Sequence, residues 1–179
     1  MRIDEIRSQY ADWLATYAWS FFVTLTFKER DKRWNPDRSK MALGMHPEEA
    51  HKRFSQMMHH LNRYQFGRWY HKHPDRGVKW VLAQEFHKSG RVHFHALMGD
   101  DLDFTGVTGE SASDAEEAKE RFIKEGKSAW DHNGFSRWDR IRNKQKAAAA
   151  YVSKYVTKDG LLTISPTMAR HDFPLSANG

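Results

Sequence analysis

The chain of 179 residues contains no cysteine, so disulfide bonds and thiolate metal sites are excluded. Any metal ion must therefore be bound by nitrogen and oxygen ligands. The N-terminal sequence MRIDEIRSQY lacks the basic and apolar regions of a signal peptide, and no hydrophobic run has the length of a membrane span. We expect a soluble cytoplasmic protein with no membrane partner.

The composition favours one domain and an acidic partner. Hydrophobic residues make up 39% of the chain, which suffices for the core of one domain. We assign this domain to residues 1–160, including an amphipathic helix within residues 1–18, and we assign residues 161–179 to a C-terminal tail. The formal net charge is +6 and the aromatic content is 13%, a combination that makes nucleic acid the first candidate partner.

Hydrophobic periodicity predicts alternating helices and strands. The helices are expected within residues 3–18, from residue 47 onward, and within 113–124 and 143–158; the strands are expected within 20–28, 78–87, 91–98 and 134–141. The residues after Gly160 show little periodicity, and we expect them to be mostly irregular.

One predicted hairpin carries a candidate metal site. His93 and His95 flank one residue of a strand, so both side chains emerge on the same face. A three-residue loop, Lys-Ser-Gly at 88–90, places Glu85 opposite His93 on that face. Glu85, His93 and His95 are therefore the predicted ligands. His87 has the same parity as Glu85 and is the alternative third ligand.

The last predicted helix carries candidate nucleophiles. Tyr151 and Tyr155 are four residues apart, and Lys154 and Lys158 each follow a tyrosine by three, so all four can share one face. A phenol has a reference pKa of about 10, so a lysine or a metal ion must help to expose the anion. A divalent ion on the hairpin would hold a scissile phosphate and neutralise developing charge.

Three segments together resemble the HUH endonucleases of the rolling-circle replication initiator group. They are Phe-Val-Thr-Leu-Thr-Phe at 22–27, the hairpin from Glu85 to His95, and the helix with Tyr151 and Tyr155, and the resemblance extends over residues 20–160. The paired tyrosines are most similar to the two-tyrosine initiators of small single-stranded DNA phages and plasmids. The resemblance implies an α+β fold, ferredoxin-like or RRM-like, with a central antiparallel sheet of about five strands and helices mainly on one face.

The resemblance also implies a reaction. Such enzymes nick single-stranded DNA at an origin, which leaves a 5′-phosphotyrosine and a free 3′-hydroxyl for a polymerase, and the second tyrosine permits alternating strand transfers. The expected cofactor is Mn²⁺ or Mg²⁺. The expected partners are single-stranded origin DNA, with a hairpin as one form, and a host helicase and polymerase.

Three further residues are candidate DNA contacts. Thr24 and Thr26 lie in the first predicted strand, and Trp34 lies in the polar segment that follows it. Alternatives to an initiator are a transposase or a relaxase with the same chemistry, and a DNA-binding module without catalysis. Small transposases of this type usually have one tyrosine, and relaxases usually have theirs near the N-terminus.

Overall fold

A computed structural model describes residues 3–28, 46–73, 75–86, 91–99, 112–156 and 161–169. The strands in these ranges are β1 (Phe21–Thr26), β2 (Trp80–Phe86), β3 (Val92–Met98), β4 (Ser136–Arg140) and β5 (Leu162–Ile164). The helices are α1 (Ile3–Ala15), α2 (Pro47–Phe66), α3 (Ala112–Trp130), α4 (Gln145–Ser153) and α5 (Pro166–Ala169). None of the helices in this part of the chain is both long and apolar enough to cross a membrane.

The strands form one sheet in the order β4-β1-β3-β2-β5, and all neighbouring strands are antiparallel. The prediction of an α+β fold around a five-stranded antiparallel sheet is therefore confirmed. The segment β1-α2-β2-β3-α3-β4 has the order of elements found in ferredoxin-like folds. Because β3 lies between β1 and β2, the hairpin of β2 and β3 occupies the middle of the sheet.

One face of the sheet packs against α2 and α3. Alternate residues of β1 and β3 point to this face, and the helices bring matching apolar residues. Pro47 at the start of α2 and two acids in its first turn favour helix initiation there. The large buried side chains of this cluster include Phe21, Leu25, Phe54, Leu61, Phe94, Phe122 and Trp130.

The opposite face packs against α1 and α4, which corrects the expectation that helices lie mainly on one face. Leu14 of α1 and Val152 of α4 are fully buried against Val81 and Leu97 of the central strands. Both helices have apolar stripes that would otherwise face water, so they cover this half of the sheet. Polar side chains of β1 continue the same face towards β4.

The segment after Gly160 is not irregular where the structure describes it. Strand β5 pairs with β2, with Val81 opposite Ile164 and Ala83 opposite Leu162. Met168 of α5 is fully buried in the cluster with α1 and α4. The division of the chain at residue 160 stays a prediction, although the strand that follows it belongs to the sheet.

Helix α3 is longer than its sequence predicts, because it continues through Gly126 to Trp130. Glycine weakens a helix, and the expected end was therefore Lys124. The Trp138 ring of β4 packs so closely that a Cβ at position 126 would lie 2.3 Å from it. Tertiary packing of this aromatic ring on the helix outweighs the low helix propensity of glycine.

Candidate active site

The hairpin of β2 and β3 brings the three predicted metal ligands together. Glu85 lies opposite His93, and Ala83 lies opposite His95, so the predicted register is confirmed. Glu85 Oε2 is 3.0 Å from His93 Nε2 and 3.3 Å from His95 Nε2. One ligand atom from each of the three residues lies within 4.8 Å of the other two, which is close enough for all three to hold one ion.

Strand β1 orients one of these histidines. Thr24 lies directly opposite His95, and its Oγ1 is 3.2 Å from His95 Nδ1. The other ring nitrogen, Nε2, therefore points towards Glu85. The Phe22 ring stacks on the His95 ring, with centroids 5.7 Å apart. A hydrogen bond to the second ring nitrogen is a common way of fixing the orientation of a metal-binding histidine.

The sequence reasoning missed this role of Thr24, which it assigned to DNA contact. Alternation along β1 does place Thr24 and Phe22 on one face, but nothing local shows that β1 pairs with β3. Thr26, the second threonine, lies opposite His93. Its Oγ1 donates to the Phe135 carbonyl oxygen at 3.3 Å.

The two tyrosines of α4 and the turn after it reach this cluster from above the sheet. The Tyr155 hydroxyl donates to Glu85 Oε2 at 2.8 Å and lies 3.2 Å from the Tyr151 hydroxyl. Tyr155 is only 1% exposed, whereas Tyr151 is 38% exposed. The two side chains are therefore neighbours, as the spacing predicts, but only Tyr151 is open to solvent.

The lysines are only partly described. Helix α4 ends at Ser153, and a 3₁₀ turn continues over Lys154–Val156. Lys154 Nζ lies 3.5 Å from the ring centroid of Tyr151 and 4.6 Å from that of Tyr155. Lys158, Trp34 and the alternative ligand His87 lie outside the described residues.

A family model for the replication-associated protein ORF2 matches residues 20–160 of the chain. The chain belongs to this family. The match spans the strands β1 to β4, the hairpin and both tyrosines, so the assignment to the replication-associated proteins applies to the part of the chain that builds the site. Comparisons with curated proteins and with solved structures give no significant match.

Burial and hydrogen bonding control the protonation of the site in this replication-associated protein. Burial, with a contribution from the positive charge of His93, lowers the pKa of His95 to about 4. Burial alone would raise the pKa of Glu85, but hydrogen bonds from Tyr155 and His93 and the charges of both histidines lower it. Burial raises the pKa of Tyr155, and its hydrogen bonds with Tyr151 and Glu85 raise it further.

These protonation states suit a cation site. An ionised Glu85 and a neutral His95 are the forms that bind a metal ion. The predicted metal-binding group is present, and it supplies two imidazole nitrogens and a carboxylate. Mg²⁺ prefers an all-oxygen environment, whereas Mn²⁺ accepts imidazole nitrogen together with oxygen, although it binds such sites more weakly than the later first-row ions do.

Proposed function

We propose that this replication-associated protein is a metal-dependent endonuclease and strand transferase of the two-tyrosine HUH type, which nicks and rejoins single-stranded origin DNA. The observation that carries the proposal is the convergence on Glu85. Its Oε2 atom contacts both histidine Nε2 atoms and the Tyr155 hydroxyl. A candidate cation site and a pair of phenols therefore occupy one position on the sheet, which is the combination that phosphoryl transfer to tyrosine requires.

The proposed reaction is a transesterification. A tyrosine Oη attacks the phosphorus, the bond between phosphorus and the 3′ oxygen breaks, and the DNA keeps a 5′-phosphotyrosine link. The phenol loses one proton to solvent, and the departing 3′ oxygen gains one from solvent. A divalent ion, when bound by Glu85, His93 and His95, neutralises the charge on the non-bridging phosphate oxygens. Attack by a 3′-hydroxyl on the phosphotyrosine reverses the sequence and joins the strands.

Tyr151 is the proposed first nucleophile. Its ring is 38% exposed, so a DNA phosphate can approach its hydroxyl, and Lys154 places a positive charge beside it. Tyr155 is buried and its hydroxyl is hydrogen-bonded to Glu85, so it must leave this position before it can attack. We assign Tyr155 to the second transfer, after the first phosphotyrosine has formed.

The test is a covalent adduct assay. The protein is incubated with Mn²⁺ and labelled single-stranded origin oligonucleotides and then run on a denaturing gel. We expect an adduct with the wild-type protein and none with Tyr151→Phe or with the double variant Tyr151→Phe/Tyr155→Phe. Tyr64→Phe is the matched control, because Tyr64 is 42% exposed but belongs to α2 on the other face.

Two outcomes of this assay contradict the proposal. An adduct of undiminished yield in the double variant would show that neither tyrosine is the nucleophile. Absence of adduct with Mn²⁺ and Mg²⁺ on every candidate origin, together with tight DNA binding, would show that the protein is a binding module without catalysis.

A further inference from the structure

Two rows of side chains cross the face of the sheet that carries the candidate active site. They follow from the register of β2, β3, β1 and β4, because residues directly opposite each other share a face. The first row contains Glu85, His93 and Thr26, and the second contains Ala83, His95, Thr24 and Arg137. The backbone bond from Thr26 N to the Phe135 carbonyl oxygen, 2.9 Å long, extends the first row to Phe135.

Phe135 is a large apolar side chain on this face, and it is 66% exposed. Its backbone is fixed, because its carbonyl oxygen accepts hydrogen bonds from both the amide and the hydroxyl of Thr26. The preceding residue, Gly134, packs so tightly that a Cβ there would lie 2.0 Å from the Thr26 carbonyl oxygen. Among the described residues, Phe135 has no aromatic ring partner, in contrast to Phe21, Phe22 and Phe27 of β1 and the residue after it.

Single exposed aromatic residues are common on soluble proteins, so exposure alone does not identify a site. The position in the row is the informative observation. Phe135 and His93 are separated by two strand spacings, about 10 Å, across a face on which Thr26 is the residue between them. A strand of DNA whose phosphate lies at His93 would therefore extend a neighbouring base over Phe135.

We propose that Phe135 is a substrate-binding residue on which an unpaired base of the DNA strand stacks next to the scissile phosphate. The inference rests on the proposed function for the position of the phosphate. Every base has a flat aromatic face, so stacking on a phenyl ring binds single strands with little dependence on sequence. In duplex DNA the bases are already stacked and paired, so a single strand is the ligand that this residue fits.

Arg137 adds a charge beside this aromatic surface. It lies opposite Thr24 on the same face, and its guanidinium pairs with Asp139 at 3.0 Å between Nε and Oδ2. Both side chains are substantially exposed, and exposed ion pairs contribute little to stability. A phosphate of the bound strand can therefore bind the Arg137 guanidinium without the loss of a strong internal contact.

The test measures binding without cleavage. The background is Tyr151→Phe/Tyr155→Phe in a chelator, and the affinity for a labelled single-stranded origin oligonucleotide is read from fluorescence anisotropy. We expect Phe135→Ala to bind about 5- to 150-fold more weakly, which is the range of one lost stacking contact. Phe135→Trp should retain binding. Phe86→Ala is the control, since Phe86 is 48% exposed and adjacent to Glu85 in sequence but on the other face.

A set of oligonucleotides, each with one abasic position, separates stacking from other effects. One position should weaken binding to the background protein by the same factor as Phe135→Ala, and that position should have no further effect in Phe135→Ala. Unchanged affinity of Phe135→Ala, or equal losses at every abasic position in both proteins, would overturn the inference. The binding assay does not require nicking, so an inactive wild-type protein with this Phe135 dependence would contradict the proposed function alone.

Discussion

Replacing Tyr155 with phenylalanine is expected to change stability and metal affinity in opposite directions. The substitution removes one hydroxyl from a side chain that is 1% exposed and leaves the ring in place. That hydroxyl donates to Glu85 Oε2, which is also the carboxylate atom closest to both histidines. A metal ion bound by these three residues must compete with the phenol for this oxygen.

The size of both effects follows from the one hydrogen bond. A hydrogen bond to a charged group contributes about 1.5–3 kcal/mol, and partial exposure of Glu85 favours the lower end. The free energy of unfolding of the metal-free protein should therefore fall by about 1.5 kcal/mol, or about 3–6 °C in Tm. The same bond no longer has to be broken on metal binding, so Mn²⁺ should bind up to about tenfold more tightly.

The assays are urea unfolding in a chelator and calorimetric titration with Mn²⁺. Tyr151→Phe is the matched control, because its hydroxyl contacts the Tyr155 hydroxyl rather than the carboxylate. We expect changes of less than about 1 kcal/mol in the control. If Tyr155→Phe bound Mn²⁺ no more tightly than the wild-type protein, the phenol and the metal would not share Glu85 Oε2, and the reasoning would be refuted.

Three further predictions concern metal, pH and packing. Mn²⁺ at 100 times its Kd should add about 2.7 kcal/mol of stability, or about 5–10 °C in Tm by differential scanning fluorimetry, more than Mg²⁺ at the same concentration, and His93→Ala should abolish the rise. The pKa of His95 is lowered to about 4 in the native state, whereas an unfolded histidine titrates near about 6.5. The unfolded chain therefore binds the additional proton, and unfolding of the metal-free protein should become about 2 kcal/mol easier from pH 7.5 to pH 5; a flat urea profile, equal to that of His95→Gln, would contradict this. Gly134→Ala should cost at least about 2 kcal/mol because its Cβ meets the Thr26 carbonyl at 2.0 Å, whereas Gly77→Ala, whose nearest neighbour is a side-chain methyl at 3.2 Å, should cost less in the same urea assay.

The parts of the site that depend on neighbouring sequence could be predicted. A short loop and a period of two fix which residues of the hairpin face each other, and the pairing of Glu85 with His93 follows from them. The spacing of Tyr151 and Tyr155 predicts their contact in the same way. Their difference in exposure could not be predicted, because Tyr155 is buried by residues of α1 and β2 that are distant in sequence.

The parts of the fold that the sequence did not reveal depend on distant pairing. Strand β5 has three residues, too few to show a period, and it forms only by docking on β2. The placement of helices on both faces likewise depends on α1 meeting α4, whose residues are more than a hundred positions apart. Thr24 has a position opposite His95 only because β1 pairs with β3.

The most direct test of the central claim is to locate the residue that becomes linked to DNA. Wild-type protein is incubated with Mn²⁺ and an origin oligonucleotide, the adduct is digested with protease and nuclease, and the modified peptide is sequenced by mass spectrometry. The account predicts a 5′-nucleotide on Tyr151 after a single cleavage. A nucleotide attached to a residue other than Tyr151 or Tyr155, or cleavage by hydrolysis with no covalent link, would contradict it.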